Sequence, residues 1–315
     1  MVLSEDDVRA ETELWSSMTC GELIKQQNAI VINADESVEG ACEILLKNNI
    51  LSAPVENLEK KQLIGVFTYR TLVESLVAKL PQNKRPQELN MSDLLHSVGP
   101  KVPVATIVER TFSSVLPSDT LTMPVRQFGN RIHRTAVVAE HGEFEGMLSQ
   151  GLLLGFLQAN LPKLKGVMSR SLKDLGMVKG TVLAVAHDSL VIEGVKLLLQ
   201  KNISSVAITN ARNAIIGALS LSDVKWILRK RHYHFFWLEV DKFLGHVKRE
   251  EAFSSDNQAR DTYPVFTVGS SRSLGEAVEK LVALRTHRLW IVENSMSPSG
   301  VISITDIMKL LTPPE

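Results

Sequence analysis

One stretch near the C-terminus decides the fold: Thr286-His287-Arg288-Leu289-Trp290-Ile291-Val292-Glu293, a polar loop, and then Gly300-Val301-Ile302-Ser303-Ile304-Thr305-Asp306. The apolar run 289–292 is short and bounded by charges, which is typical of a buried strand. A second apolar strand is predicted from Gly300. At its end, a hydroxyl or carboxylate can cap a helix predicted over 307–311.

This arrangement favours a particular kind of ligand. A strand that leads into a helix start is a natural place for an anionic or ribose-bearing group. His287-Arg288 places cationic donors just before the other strand. The stretch therefore offers donors for a phosphate and acceptors for a sugar.

Composition sets the limits within which such a site must be built. The chain has 315 residues, 44% hydrophobic and 22% charged, which predicts about two globular domains. Its 35 Lys and Arg balance 35 Asp and Glu, so there is no global attraction to nucleic acid or membrane. We expect neither DNA nor membrane as a partner, and any anion site must arise from local charges.

The cysteines and the N-terminus indicate the cellular compartment. Cys20 and Cys42 are too few for a disulfide scaffold, which favours a reducing compartment. The first residues are acidic and lack the basic start and apolar core of a signal peptide. The most apolar run, 151–157, is too short to span a bilayer. We expect a soluble cytoplasmic protein, with the nucleus as a second location.

Internal repeats organise the rest of the chain. Each of four glycines is followed by two apolar residues and a hydroxyl: Gly65-Val66-Phe67-Thr68, Gly146-Met147-Leu148-Ser149, Gly217-Ala218-Leu219-Ser220 and Gly300-Val301-Ile302-Ser303. Before each glycine, the sequence predicts an apolar strand and, ahead of it, an amphipathic helix. The predicted helix starts follow 35–37, 119–120, 188–189 and 273.

The apolar faces of these helices have helical spacing. In the first helix the stripe is Val38, Ala41, Cys42, Leu45 and Leu46, and in the fourth it is Leu274, Ala277, Val278, Leu281 and Val282. We interpret both stripes as core rather than as a cofactor site. The sequence therefore predicts four β-α-β-β-α units in an α/β fold.

The pattern of strand, capped helix, strand and Gly-x-apolar-Ser/Thr-x-x-Asp resembles the CBS (cystathionine β-synthase) repeat. Local matches are Arg131-Ile132-His133-Arg134, Met168-Ser169-Arg170-Ser171-Leu172 and His287-Arg288-Leu289. Four such repeats resemble the gamma subunit of AMP-activated and Snf1-type protein kinases. The long connection 225–263 is more similar to fungal four-repeat stress and cell-cycle regulators associated with phosphatase inhibition.

The resemblance implies an architecture and a ligand. After an N-terminal segment, 1–19, it implies two paired-repeat (Bateman) modules, 20–160 and 161–315, that form a disc. In the family, AMP, ADP or ATP lies in clefts between repeats as a regulatory ligand, with its phosphates directed to a shared cationic centre.

Carried onto this sequence, the resemblance and the chemistry of the side chains name candidate contacts. Those for phosphate are Arg131, His133, Arg134, His287, Arg288 and Lys163, with Lys165 as the alternative to Lys163. Those for ribose are Asp223 and Asp306. Further contacts, including the adenine slot, are Ile203, Ser204, Ser205, Ser220, Ser303 and Thr305.

Departures from the family pattern limit these expectations. Thr71 and Leu152 stand at the ribose-carboxylate position of repeats 1 and 2. We therefore expect at most two sites with a ribose carboxylate. Leu51 replaces an arginine that is typical of the kinase subunits, which weakens the cationic centre.

Simpler interpretations compete with these roles. Asp223 and Asp306 can both be helix caps, since Asp is a favoured cap residue. The basic-aromatic run 229–237 is interpreted as a helix with buried aromatics and solvated charges, rather than as a surface for RNA or membrane. His232 and His234 lack further ligands, so no metal site is expected.

The sequence also lacks the motifs of common enzymes. It contains no Gly-rich phosphate loop with a lysine, no HExxH and no Gly-x-Ser-x-Gly. We therefore expect a regulatory protein rather than an enzyme. The leading hypothesis is a gamma-like energy sensor that binds the catalytic and scaffold subunits of a Snf1/AMP-activated kinase. The alternatives are a free-standing regulator that inhibits a protein phosphatase, and a ligand-free scaffold.

Overall fold

The computed structural model describes residues 5–25, 30–60, 62–78, 102–110, 112–229, 233–254, 265–293 and 296–314. These residues contain four three-stranded sheets with one shared topology. In each sheet the first strand pairs in parallel with the second, and the second pairs antiparallel with the third. A helix joins the first two strands and another follows the third, so the predicted α/β repeat is confirmed.

The elements of the four repeats have the following bounds. Repeat 1 has β1 Ile32–Asn33, helix Val38–Lys47, β2 Ser52–Asn57, β3 Gln62–Thr68 and helix Tyr69–Ala78. Repeat 2 has β4 Ser114–Val115, helix Thr122–Gly129, β5 Arg134–Val138, β6 Phe144–Ser149 and helix Gln150–Ala159. Repeat 3 has β7 Ala184–Ala186, helix Val191–Gln200, β8 Ser205–Thr209, β9 Ile215–Ser220, a 3-10 turn Leu221–Asp223 and helix Val224–Arg229. Repeat 4 has β10 Thr267–Gly269, helix Leu274–Ala283, β11 Arg288–Val292, β12 Pro298–Ser303 and helix Ile304–Leu310.

Other elements lie outside the repeats. They are helices Glu5–Ser16, Cys20–Ile24, Lys165–Met168 and Val240–Ser254, and 3-10 turns Val104–Thr106, Leu161–Leu164 and Tyr233–Trp237.

Two of the predicted helix starts are confirmed and the others shift. Ser37 and Ser273 are N-caps whose hydroxyls accept backbone hydrogen bonds. The helices predicted to follow 119–120 and 188–189 begin slightly later, with Leu121 and Leu190 as N-caps. The last helix, predicted over 307–311, is present, but its predicted start was wrong, because Ser303 caps it and it runs from Ile304 to Leu310.

The strand-opening glycines are required where another segment crosses the sheet edge. A Cβ on Gly65 would lie 2.6 Å from the carbonyl oxygen of Glu109, whose backbone bridges to the neighbouring Val66. A Cβ on Gly300 would collide with the carbonyl oxygen of Met177. In repeats 1 and 4 the glycine is thus explained by close backbone contact, whereas a Cβ on Gly217 in repeat 3 would meet the side chain of Leu244.

The chain divides into two compact units that do not follow chain order. Unit 1 consists of Met1–Ala29, Phe112–Val182 and Phe266–Glu315, and it contains repeats 2 and 4. Unit 2 consists of Ile30–Thr111 and Leu183–Val265, and it contains repeats 1 and 3. The predicted modules 20–160 and 161–315 pair consecutive repeats instead, and that division stays a prediction.

In unit 1 the helices of repeats 2 and 4 contact each other reciprocally. The first helix of repeat 2 packs on the second helix of repeat 4, and the second helix of repeat 2 packs on the first helix of repeat 4. The approach is close, since a Cβ on Gly129 would lie 2.9 Å from Lys309 Cα. Their apolar faces form one core that contains most of the predicted stripe of repeat 4.

The N-terminal segment also contributes to unit 1. Helix Glu5–Ser16 buries Leu14 and Trp15 in this core. Trp15 Nε1 donates a hydrogen bond to the carbonyl oxygen of Leu311 at 2.9 Å. We predicted no helix in residues 1–19 from the sequence, so this helix is a feature that only the structure shows.

The core of unit 2 joins repeats 1 and 3 with the connection that follows repeat 3. In the basic-aromatic run, Phe235 and Phe236 are buried while His234 is exposed, which agrees with the expected burial of aromatics. The run is not one helix, because it includes the end of helix Val224–Arg229 and the 3-10 turn Tyr233–Trp237. His232 lies outside the described residues.

The described residues also bear on the cysteines and on membrane insertion. Cys20 and Cys42 are both buried and free. Among the described helices, none has the length and apolar character needed to cross a membrane.

Candidate functional site

The site is built at the start of the second strand of each repeat. Register places Arg134 opposite Ser149, and Arg288 opposite Ser303, at equivalent positions of repeats 2 and 4. The same register aligns the strand starts of all repeats, which are Leu51-Ser52, His133-Arg134, Ser204-Ser205 and His287-Arg288. Unit 1 therefore contains both His-Arg pairs, and unit 2 contains their uncharged counterparts.

The residue that follows the first helix of each repeat shows the same difference between the units, with charged residues in unit 1 and uncharged residues in unit 2. These residues have positive φ, which ends a helix in the left-handed conformation. Their φ values are 50° for Asn49, 68° for Arg131, 49° for Asn202 and 50° for Arg285. Arg131 and Arg285 are exposed and belong to unit 1, so repeats 2 and 4 add another pair of cations near their strand starts.

The strand starts of repeats 2 and 4 converge within unit 1. Desolvation and the nearby positive charges of Arg288, Arg134 and His133 lower the pKa of His287 to about 4. Part of the His287 surface still contacts solvent. Burial is the largest cause of this lowered pKa, and the cations of both repeats add to it, so at neutral pH the ring is uncharged.

Arg134 is the most deeply placed cation of this cluster. Burial lowers its pKa to about 10, so it stays charged at neutral pH. We call His133, Arg134, His287 and Arg288 the cationic cluster. A guanidinium that is partly removed from water interacts strongly with an anion brought to it.

The two predicted ribose carboxylates lie at helix starts. Asp306 Oδ2 accepts hydrogen bonds from Ser303 N at 2.9 Å and Ser303 Oγ at 2.6 Å, while Asp306 N donates to Ser303 Oγ at 3.2 Å. Asp223 Oδ2 accepts from Ser220 N at 2.7 Å. Both residues are thus helix caps, as the simpler interpretation expected.

Asp306 can have a second role, because capping uses only one of its two carboxylate oxygens. Its capping bonds engage Oδ2, and the residue is half-buried. Within the described ranges, no side chain or backbone group donates a hydrogen bond to Oδ1. This carboxylate can cap its helix and still accept hydrogen bonds from a ligand.

Repeats 1 and 2 keep the cap and lack the carboxylate. In repeat 1, Thr68 N donates to Thr71 Oγ1 and Thr71 N donates to Thr68 Oγ1, both at 3.0 Å. In repeat 2, Leu152 N donates to Ser149 Oγ at 3.3 Å, and the leucine side chain returns no bond. A carboxylate is therefore not required for capping in this fold.

The other predicted contacts are distributed between the units. Ser303, Thr305 and the exposed Lys163 and Lys165 belong to unit 1. Neither lysine is among the charges that act on His287. Ile203, Ser204, Ser205, Ser220 and Asp223 belong to unit 2. The ligand roles of all these residues stay predictions.

Two residues of unit 1 were missed by the sequence reasoning. Arg285 is the repeat 4 counterpart of Arg131, and aligning the helix ends would have found it. Gln150 is buried and its Nε2 donates to Thr305 Oγ1 at 2.8 Å, across repeats 2 and 4. Aligning the four repeats would have shown that Gln150 differs in type from its counterparts, but not which residues it contacts.

Metal binding has no support in the described part of the chain. No group of three or more His, Cys, Asp or Glu residues within it has a geometry that could hold a metal ion. His234 lies beside Phe235, with ring centroids 4.7 Å apart.

The arrangement in unit 1 is a cluster of cations with an adjacent carboxylate, which is suited to holding an anionic ligand.

Comparison with known proteins identifies the repeats. The family model of the CBS domain matches residues 20–78 and 260–313, which cover repeats 1 and 4. Protein SDS23 of Candida albicans is 28% identical over 92% of this chain and 50% of its own length. Protein SDS23 of Saccharomyces cerevisiae is 27% identical over 99% of this chain and 62% of its own length. The chain thus spans about half to three fifths of the length of these relatives.

Solved structures show the same fold at low sequence identity. A Methanocaldococcus jannaschii protein, described as a candidate archaeal homologue of g-AMPK, superposes with a TM-score of 0.72 at 12% identity, over 93% of this chain and 99% of its own. A conserved protein of Pyrococcus horikoshii gives a TM-score of 0.56 at 16% identity, over 93% of this chain and all of its own.

These comparisons agree with the topology of the four sheets. Repeats 2 and 3 have the same strand order and pairing as repeats 1 and 4, which the family model matches directly. The chain thus contains CBS-domain repeats, and it is similar in sequence to fungal SDS23 and in fold to the archaeal g-AMPK-like protein.

Proposed function

We propose that this protein is a regulatory protein that binds an adenine nucleotide in unit 1 and controls a partner protein in response. The observation that supports this most is the convergence of Arg288, Arg134 and His133 on His287. Like charges held close together repel one another, and a polyanion removes that repulsion. A nucleotide phosphate satisfies the geometry of two arginines as well as the charge.

The sugar end of the ligand would lie on Asp306. This carboxylate follows β12, whose last residue Ser303 is paired in register with Arg288. A ribose cis-diol can donate two hydrogen bonds to one carboxylate, and such charge-assisted bonds are strong. The phosphate cluster and the ribose carboxylate would thus hold the two ends of one nucleotide. Asp223 would have the same role in unit 2.

Regulation would follow from differential affinity. The cationic cluster contains residues from two repeats, so a ligand that binds it favours the arrangement in which those repeats are close together. A partner that recognises this arrangement would then bind in a nucleotide-dependent way. We expect binding of AMP, ADP or ATP without hydrolysis, since the residues of the site act as hydrogen-bond donors and acceptors toward the ligand.

Two partner classes remain in competition. The leading interpretation of the sequence was a gamma-like sensor bound to the subunits of a Snf1/AMP-activated kinase. The similarity to fungal SDS23 over most of the chain favours the other class, a free-standing regulator whose partner is a protein phosphatase. Affinity purification of the tagged chain from its native cells separates them, because kinase subunits should co-purify in the first case and a phosphatase in the second.

Extraction of the purified protein tests the ligand class directly. Protein released from its ligand by acid should yield AMP, ADP or ATP, detected by chromatography and mass spectrometry. Calorimetry with each nucleotide then gives the affinity. Absence of all three from the extract, with flat calorimetric titrations, would contradict the proposal and favour a ligand-free scaffold.

The Asp306 variants separate ribose binding from helix capping. Asp306→Ala removes the carboxylate and the two bonds that it accepts from Ser303, but it leaves the backbone bond from residue 306 to Ser303 Oγ. Asp306→Thr should keep a side-chain partner for the cap, as Thr71 does in repeat 1. We expect AMP affinity to fall roughly ten- to a hundredfold in both variants, because a charged hydrogen bond is worth ~1.5–3 kcal/mol. Thermal unfolding should show a loss of stability in Asp306→Ala that is larger than in Asp306→Thr. If Asp306→Thr binds AMP like the parent, Asp306 is only a cap.

The number of bound nucleotides should be small. Only repeats 3 and 4 have a carboxylate at the cap position, and the His-Arg pairs occur only in repeats 2 and 4. We expect one or two equivalents of nucleotide per chain, measured by calorimetric stoichiometry. Three or four equivalents of similar affinity would show that neither the carboxylate nor the His-Arg pair is needed.

A further inference from the structure

A buried amide lies between the two halves of the cationic cluster. Gln150 is the first residue of the second helix in repeat 2 and is 5% exposed. Its repeat-equivalents are Tyr69, Leu221 and Ile304, which are all buried. Repeat 2 therefore places a primary amide where the other repeats have an aromatic or aliphatic side chain.

The amide nitrogen is fully engaged. Gln150 Nε2 lies 2.8 Å from Thr305 Oγ1 and 3.3 Å from the carbonyl oxygens of both Phe128 and Ile132. Two hydrogens serve these three acceptors, and the shortest contact is the one that crosses to repeat 4. A buried amide with partners in two repeats fixes their relative position more narrowly than an apolar contact does, because hydrogen bonds depend on distance and angle.

These bonds form a continuous connection between the two histidines. Gln150 N donates to the carbonyl oxygen of His133 at 3.2 Å, and the Gln150 side chain donates to Thr305. Thr305 follows Ile304, whose N donates to the carbonyl oxygen of His287 at 3.1 Å. Each strand start is thus bonded to the helix start of its own repeat, and Gln150 joins the two helix starts.

We propose that Gln150 is a positioning residue, which holds His133-Arg134 of repeat 2 close to His287-Arg288 of repeat 4 so that both can contact one anionic ligand. This inference rests on the proposed function, because the ligand is the nucleotide assigned there to the cationic cluster. Loss of the Gln150–Thr305 bond lets the two strand starts separate, and the site then has to be reassembled when the ligand binds.

The experiment uses the full chain and two variants that each remove one side of the bond. Gln150→Leu introduces the residue present at the equivalent position of repeat 3, and Thr305→Val removes the acceptor while it keeps the side-chain shape. Leu221→Val is the control, since it alters the equivalent position in unit 2 without removing a hydrogen bond. The readouts are AMP affinity by calorimetry, the melting temperature, and the titration of His287 by NMR in the unliganded protein, with the signal assigned from His287→Gln.

We expect Gln150→Leu to weaken AMP binding about tenfold, the size of effect typical of one lost hydrogen bond to a buried polar group. The double variant Gln150→Leu/Thr305→Val should have an AMP affinity no lower than that of the single variant with the lower affinity. The reason is that both substitutions remove the same bond. In the unliganded protein, the pKa of His287 should rise above its parent value of about 4, since the cations of repeat 2 move away, while burial and Arg288 still hold it below 6.5. Leu221→Val should change neither AMP affinity nor this titration.

Other results would overturn the inference. If Gln150→Leu and Thr305→Val lower the melting temperature but leave AMP affinity and the His287 titration as in the parent, Gln150 only stabilises the core. If Gln150→Leu does not fold, the His287 titration of unliganded Thr305→Val decides, because Thr305 is itself a predicted ligand contact and its effect on AMP affinity has two possible causes. A parent protein that binds no AMP would contradict the proposed function, while the His287 titration of the unliganded variants would still show whether Gln150 positions the cluster.

Discussion

AMP or ATP is expected to raise the melting temperature of this protein, and Arg288→Gln or Arg134→Gln is expected to remove most of that rise. A ligand that binds only the folded state adds RT ln(1 + [L]/Kd) to its stability, about 2.7 kcal/mol at a hundredfold excess over Kd. For a chain of this size that corresponds to a shift of roughly 5 °C. The shift should shrink at high salt, because phosphate contacts are partly screened.

The unliganded variants provide an internal check. Arg288 and Arg134 both act on the same histidine and both stay charged at neutral pH, so removing either charge relieves the repulsion between the two arginines. We expect the ligand-free Arg288→Gln and Arg134→Gln proteins to be no less stable than the parent. Arg272→Gln is the control, because Arg272 is an exposed arginine of repeat 4 that pairs with Glu276 instead. A parent melting curve that does not move with millimolar nucleotide would show that the cationic cluster is not a phosphate site.

Glu11→Leu is expected to stabilise the protein at neutral and alkaline pH and to flatten its pH dependence. Glu11 is 0% exposed on helix Glu5–Ser16, and no described residue donates a hydrogen bond to either carboxylate oxygen. Burial, followed by the charge of Asp7, raises its pKa to about 8. A buried carboxyl group without a partner is costly to ionise.

The direction of the pH effect follows from the two pKa values. Below the ordinary value of 4.5, Glu11 is protonated in both the folded and the unfolded protein and has no effect. As the pH rises to about 8, the unfolded chain ionises first, so the free energy of unfolding falls. The full loss is on the order of 5 kcal/mol at 1.36 kcal/mol per pKa unit, which makes it one of the largest single contributions expected here.

Chemical denaturation between pH 5 and pH 9 measures this contribution. The parent should lose stability as the pH rises, and Glu11→Leu should lose much less. Glu13→Gln is the matched control, since Glu13 is an exposed residue of the same helix that pairs with Arg9 at 2.9 Å. Exposed pairs of this kind contribute little, so its curve should follow the parent. Equal slopes for Glu11→Leu and the parent would show that Glu11 finds a partner in solution.

Local features of the fold were predictable because they depend on local chemistry. The strand over 289–292 and the helix capped by Ser273 followed from short apolar runs, helical spacing and cap residues. The repeated glycines were visible as a pattern, although the cause at Gly65 and Gly300 is contact with distant backbone. The last helix was misplaced because Ser303 and Asp306 are both good cap residues, and only the hydrogen bonds show which of them is the N-cap.

The partners of each repeat could not be predicted in the same way. An apolar stripe shows that a helix is buried, but it does not name the helix against which it packs. The contact between Gln150 and Thr305 joins residues 155 positions apart. Glu11 would be placed in solvent by any rule based on residue type, since isolated carboxylates are rarely buried. These features depend on the assembled unit rather than on any local segment.

The reciprocal helix contacts in unit 1 have a consequence for ligand stoichiometry. Two repeats that exchange equivalent contacts approximate a twofold axis, as in a symmetric homodimer, and a true twofold presents every half-site twice. Here both repeats belong to one chain, so the two sides of the axis can differ. Asp306 on one side corresponds to Leu152 on the other, and Ile304 corresponds to Gln150. The two sides of unit 1 are therefore not equivalent: one side has Asp306, the carboxylate proposed to hold ribose, and the other has the Gln150 amide. The proposed nucleotide is expected in a single orientation.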